Sequence, residues 1–368
     1  MTRTATALFA SAAFFAAGTM AATTAAAAPD VVVSIKPIHS LVAAVMQGVG
    51  EPKLIVDGAA SPHTFTMKPS NARTIEGADV VFWIGPNLEA FLDKPLDALA
   101  GKATVVALGD VAGVETLPFR EGGPFEAHDH GDDDHDHGAE THDDHDHADH
   151  GHADHGHDHG AEKPAEQEAH SDHDHDHKGH DHAAEADAHH DHDHGGFDAH
   201  LWLDPENAKA MAKAIEAQLV AADPANVAVY TKNTVALLKR IDAMNDDIAK
   251  TIAPVKNKPF IVFHDAYQYF EHHYGVTVAG SVTVSPETAP GAERLKEIQA
   301  KINSLGATCV FAEPQFTPKL INVVTEGTKA KSGVLDPEGA TLKAGPDLYF
   351  ELMTGIAASL SDCLGRDS

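Results

Sequence analysis

Between Ala127 and Gly195 the chain gives up every residue it would need to form a core. The 67 residues His128–His194 hold 22 of the 28 histidines, 23 acids and two lysines, with no aromatic and no aliphatic larger than alanine. Such a stretch buries too little apolar surface to offset its ordering entropy, so it is expected to be a mobile, solvated loop. It therefore divides any fold built from the flanking sequence. Its His-Asp-His repeats offer neutral imidazoles beside carboxylates, a donor mixture suited to zinc and other late divalent ions. A low-complexity solvated spacer is the alternative, though a spacer has little need of imidazole.

The same stretch accounts for most of the charge. Two lysines against 23 acids contribute −21 of the formal −30 and leave −9 for the remainder. The remainder is only mildly acidic, which excludes nucleic acid as a partner on electrostatic grounds.

At the N-terminus Arg3 precedes an apolar run from Ala5 to Ala17, and Ala25-Ala26-Ala27 offers a small-residue cleavage site. Residues 1–27 read as a secretory signal peptide, too short in its apolar part to span a membrane. No cysteine lies near the cleavage site to carry a lipid. The mature chain is expected to be soluble, exported and periplasmic. Its two cysteines, Cys309 and Cys363, read either as one disulfide in an oxidising compartment or as two free buried thiols.

The rest divides into an N-terminal lobe over 28–222, a linking helix over 223–253 and a C-terminal lobe over 254–368. In the first lobe, strands are expected at Val31–Ile35, Lys53–Val56, Val80–Ile84 and Thr104–Ala107. Helices are expected around Ser40–Gln47, Ser70–Gly77, Asn87–Leu99 and Pro205–Ala221. The second lobe repeats the pattern, with strands at Phe260–Phe263, Val276–Ala279, Thr308–Ala312 and Gly333–Leu335. Its helices fall near Ala266–Tyr274, Ala292–Asn303 and Pro318–Ser332. Short apolar strands alternating with helices indicate α/β lobes with doubly wound parallel sheets. From Asp223-Pro224, the residues Val227, Tyr230, Leu237, Ile241, Met244, Ile248 and Ile252 recur at helical spacing up to Pro254. That helix would be about 40–45 Å long, enough to brace both lobes.

Three histidines stand apart from the acidic stretch: His63 in Ser-Pro-His-Thr-Phe, His200 in His-Leu-Trp-Leu-Asp-Pro and His264 in Phe-His-Asp-Ala-Tyr. His63 and His264 follow expected strands, where α/β sheets place their ligand sites. Taken singly each reads as readily as a core or surface histidine, and spacing alone does not establish a site.

Taken together, these motifs resemble a known family. Ser-Pro-His at 61–63, Lys68-Pro69-Ser70, His-Leu-Trp-Leu-Asp-Pro at 200–205 and Phe-His-Asp-Ala-Tyr at 263–267 match zinc-type metal solute-binding proteins of bacterial ABC importers (the cluster A-I, or cluster 9, family). So do Pro290-Gly291, Phe311–Phe316 and Leu335-Asp336-Pro337. The resemblance covers about 30–364. It implies two α/β lobes joined by one long rigid helix, with a metal cleft between them. It further implies Zn2+ as the transported ligand, held by His63, His200 and His264, and a Cys309–Cys363 disulfide in the C-terminal lobe. Asp336 matches a carboxylate ligand of manganese and zinc relatives and is the leading fourth ligand, with water as its rival. Pro62 stands where some relatives carry a glutamate close to the metal, and its side chain cannot ligate. Asp265 is expected to hydrogen-bond locally rather than ligate, and His39, His272 and His273 are read as ordinary core or surface residues.

The implied function is capture of Zn2+ and its delivery to a membrane permease of an ABC transporter. The partners would be that permease and a periplasmic zinc-donor protein engaging the His-rich loop, with the chain a monomer. A periplasmic zinc buffer without a transporter and a manganese-type binder are alternatives. A zinc-dependent hydrolase is disfavoured because no His-Glu-x-x-His helix or other hydrolase signature is present.

Overall fold

The computed structural model describes residues 28–120, 196–283, 286, 289–306 and 308–365. The expected signal peptide at 1–27 and the acidic stretch at 128–194 lie outside the described residues.

The N-terminal lobe is a four-stranded parallel sheet ordered β2-β1-β3-β4. Its strands are β1 (Val31–Val33), β2 (Lys53–Leu54), β3 (Val80–Trp83) and β4 (Thr104–Ala107). Val-rich β1 and β3 are buried along their length, as the central strands of a two-sided parallel sheet must be. Between them run α1 (Lys36–Val45), α2 (Pro69–Glu76) and α3 (Asp93–Leu99), and α4 (Pro205–Ala222) returns after the acidic stretch. The C-terminal lobe repeats the arrangement, with the parallel order β6-β5-β7-β8. Here β5 is Phe260–His264, β6 Val278–Thr283, β7 Cys309–Ala312 and β8 Lys331–Val334. Helices α6 (Gln268–Tyr274), α7 (Ala292–Leu305) and α8 (Lys319–Thr325) connect them. Both sheets share one topology.

The linking helix α5 spans Val227–Ile252, and Pro224–Asn226 forms a separate tight turn before it. That turn is held by Asp223, whose carboxylate accepts from Asn226 Nδ2 at 2.7 Å and Tyr230 Oη at 2.9 Å. The expected apolar stripe is buried from Tyr230 to Ile252, but Val227, included in it, is 43% exposed. Its 26 residues give a rod of about 39 Å.

Several boundaries differ from expectation. Helix α1 begins at Lys36 rather than near Ser40, because Pro37 occupies its first turn, where a missing N–H costs nothing. Strand β2 keeps two of its four expected residues, and α3 begins at Asp93 rather than Asn87. The largest element without a sequence expectation is α9, Leu348–Gly365, the C-terminal helix. Its signal was present: Leu348, Leu352, Ile356, Leu360 and Leu364 recur every four residues just after Gly345-Pro346. All five are buried. Helix α9 packs on α5 and α1, and Tyr349 N donates to Ser40 Oγ at 3.0 Å. Cys363 on α9 is bonded to Cys309 at the start of β7, which excludes the free-thiol alternative.

Candidate metal centre

The three histidines reach one place by different local routes. His63 sits in a single tight turn, Pro62–Thr64, in the connection after β2. His200 precedes the buried turn Leu201–Leu203 and is itself buried. His264, expected just after the strand, is the last residue of β5, which runs one position further than expected, and it is also buried. The motif around His200 explains its fixed position. Trp202 is fully buried and donates through Nε1 to Pro337 O at 2.8 Å, Tyr349 Oη donates to Trp202 O at 2.9 Å, and Asp204 caps α4 by accepting from Glu206 N at 2.7 Å.

His63 Nε2 lies 3.3 Å from His200 Nε2, and His264 Nε2 lies 3.3 Å from the same atom. Among the described residues, these three form the group whose donor atoms all fall within 4.8 Å of one another. On two of the three rings the opposite nitrogen faces a carboxylate. His200 Nδ1 is 2.7 Å from Asp198 Oδ1, and His264 Nδ1 is 2.7 Å from Glu313 Oε1. With these carboxylates ionised, the state a bound dication favours, the Nδ1 of His200 and of His264 carries the proton and each Nε2 presents a lone pair. In that state the Nε2 lone pairs of His200 and His264 face each other across 3.3 Å with no proton to share. A cation between them is the arrangement that stabilises it. For Zn–N bonds of about 2.0–2.1 Å, the edge of a tetrahedron is about 3.3–3.4 Å, and both separations match it.

Carboxylates behind ligand imidazoles fix ring orientation and strengthen the donor. Asp198 also accepts from His200 N at 3.0 Å, so it holds both ring and backbone. Glu313 is fully buried, and desolvation pushes its pKa up to about 8, against a downward pull from His264, His200 and His63. A dication at the Nε2 cluster would pull it down further, because its charge favours the carboxylate. Phe316 closes one wall, edge-on to His264 and stacked on Phe263 with centroids 4.8 Å apart.

The remaining expected residues fall elsewhere. Asp336 lies outside the three-histidine group, with Oδ1 accepting from Ala340 N at 3.0 Å and Glu338 N at 3.3 Å, and Oδ2 from Thr341 N at 3.3 Å. Asp265 does hydrogen-bond rather than join the group, but its partner Arg120 is 145 positions away, so the interaction is not local. His39 bonds to Pro52 O, and burial lowers its pKa; His273 pairs with Asn245 and Asp204. Asp198 and Glu313 had no sequence-derived role. Asp198 stands two residues before His200, a visible cue, whereas Glu313 meets His264 only through the pairing of β5 with β7.

The family model described as "Zinc-uptake complex component A periplasmic" (ZnuA) matches residues 31–363. The high-affinity zinc uptake system protein ZnuA of Brucella suis biovar 1 is 55% identical over 354 residues, covering 96% of each chain. That of Yersinia pestis is 33% identical over 338 residues, covering 92% of each. Among solved structures, a ZnuA crystal structure aligns with a TM-score of 0.65 at 19% identity, covering 92% of this chain and 99% of the other. The periplasmic zinc-binding protein TroA of Treponema pallidum aligns with a TM-score of 0.65 at 18% identity, covering 92% and 100%. At such identities these two structures speak to the fold, and the sequence relatives to the family. The chain belongs to the ZnuA family of periplasmic A components of zinc-uptake complexes.

Proposed function

We propose that this chain captures Zn2+ in the periplasm and delivers it to the membrane permease of an ABC transporter. The observation that carries the reading is the pair of 3.3 Å Nε2–Nε2 separations with both flanking Nδ1 atoms held by carboxylates. His63, His200 and His264 are the metal ligands. Asp336 supplies the fourth oxygen by exchanging the amide bonds it now accepts, or a water stands in its place. Three imidazoles and one oxygen suit a d¹⁰ ion, whereas manganese favours harder, oxygen-rich shells. The Zn2+ is cargo rather than a catalytic cofactor, and the family's role as a solute-binding component supports a chain that does not turn over a substrate.

The partners in this reading are the permease and a periplasmic zinc donor that meets the His-rich stretch, and the chain works as a monomer. Among the described residues no helix is long and apolar enough to cross a membrane. Delivery limits useful affinity: at a Kd of about 10 nM and an association rate of about 10⁷ M⁻¹s⁻¹, unaided release is about 0.1 s⁻¹. Tighter binding requires the permease to open the cleft. Growth of a deletion strain under zinc limitation, with and without the chain restored, tests the role. Zinc-reversible growth failure is expected, and wild-type growth without the chain would contradict import.

A further inference from the structure

The segment Leu117–Arg120 leaves the N-terminal lobe and bonds to the C-terminal one. On its own side it is fixed to the chain that returns at Phe197. Pro118 and Phe197 form an antiparallel bridge, and Asp198 N donates to Leu117 O at 2.9 Å. Just upstream, Asn207 of α4 bonds to both the amide and the carbonyl of Glu115, at 2.7 and 2.9 Å. Across the cleft, Tyr269 Oη accepts from Leu117 N at 2.9 Å and Gln268 Nε2 donates to Pro118 O at 3.0 Å. Arg120 completes the crossing. Its Nε donates to Asp265 Oδ2 at 3.0 Å, its Nη2 to Asp265 Oδ1, and its Nη1 lies 2.8 Å from Glu271 Oε1 on α6. Arg120 is 21% exposed, Asp265 7% and Glu271 12%, so solvent screens this cluster little.

Both ends of this crossing lie beside the metal centre. Asp198, bonded to Leu117 O, is the group that orients His200, while Asp265 follows His264 directly in the chain. Because His63 and His200 come from one lobe and His264 from the other, separating the lobes removes a ligand from the ion. We propose that Leu117–Arg120 is a strap holding the two lobes together over the three histidines, with Arg120 the positioning residue that sets how fast bound zinc leaves. This rests on the zinc-binding reading above and adds to it a determinant of release.

The mechanism is specific about rates. Entry retraces release: the ion meets His63 and His200 first and gains His264 as the lobes close, so a strap completed on closure has little effect on association. Release requires His264 to part from His200, and the strap opposes that movement. A bidentate guanidinium–carboxylate pair is worth more than a single neutral hydrogen bond, and a lysine cannot reproduce its two-point geometry.

The test is stopped-flow transfer of zinc from the full-length chain to excess chromophoric chelator, with association measured separately. Arg120→Ala should speed release by roughly tenfold to a hundredfold, the scale of one charge-assisted interaction, and leave association unchanged. Arg120→Lys should fall between it and the wild type. Lys209→Ala, which breaks two ion pairs, one within α4 to Glu206 and one to Asp242 of the linking helix, should release at the wild-type rate. Should Arg120→Ala fail to fold, Tyr269→Phe removes only the hydroxyl that accepts from Leu117 N and should speed release by a smaller factor. A folded Arg120→Ala or Tyr269→Phe chain with wild-type release, or equal acceleration in Lys209→Ala, overturns the strap. A wild-type chain that never holds zinc tightly overturns the binding reading, and the strap with it; that result is distinguishable from a strap that fails alone.

Discussion

At the scale of single residues, the proposed site is a set of three imidazoles, of which His200 and His264 are held through Nδ1 by the carboxylates behind them. Replacing His63, His200 or His264 by alanine should each weaken tight zinc binding by at least roughly tenfold, measured by competition with a chromophoric chelator. Asp198→Asn and Glu313→Gln should lower affinity while leaving three imidazoles in place, because the amide no longer fixes the Nδ1–H tautomer. Asp336→Ala should cost less than any histidine, since water can fill the fourth position; a loss equal to that of His264→Ala would show the carboxylate to be indispensable. Protons compete for the same lone pairs as zinc, so affinity should fall as pH drops through the imidazole range, more steeply than one titration allows. A flat affinity from about pH 7 to 5 would rule out a histidine-dominated site. The histidines were legible through the motifs that carry them. Glu313 was visible within Phe311–Phe316, yet its part was not, because a residue 49 positions from His264 becomes its partner only when β5 and β7 pair.

At the scale of elements, the buried strands were the most legible, since β1, β3, β5 and β7 are short apolar runs bounded by turns. Element ends were less so, because they depend on caps and prolines rather than on periodicity, as at α1 and at the turn before α5. Helix α9 was missed although its apolar row is regular, and it is the element that ties the end of the chain to α1 and α5. Its contribution is measurable. Leu352→Ala removes a buried side chain and should cost about 2–4 kcal/mol in chemical denaturation. Breaking the Cys309–Cys363 link, which closes a separation of 54 residues, should cost about 4 kcal/mol on the chain-entropy model. A double Cys→Ser variant with unchanged stability would show that packing of α9 alone fixes the C-terminal lobe.

At the scale of the whole molecule, the proposed tight site is built on His63, His200 and His264, all outside the acidic stretch. The bridge between Pro118 and Phe197 brings the flanking chain together, so a short glycine-serine link can replace His128–His194. That deletion should remove several weak zinc sites in calorimetric titration and leave one tight site, with the fold and the disulfide intact. A chain that must order itself around each ion binds more weakly than a preformed cleft, which is why the two classes should separate. Loss of the tight site on deletion would mean that a histidine from the stretch completes the centre. The central claim, that one zinc ion sits among His63, His200 and His264, is tested most directly by crystallography of the zinc-loaded chain with anomalous data on both sides of the zinc edge. The account predicts a single strong zinc peak in the cleft, about 2.0–2.1 Å from all three Nε2 atoms. A peak elsewhere, or one that leaves any of the three imidazoles uncoordinated, would contradict it.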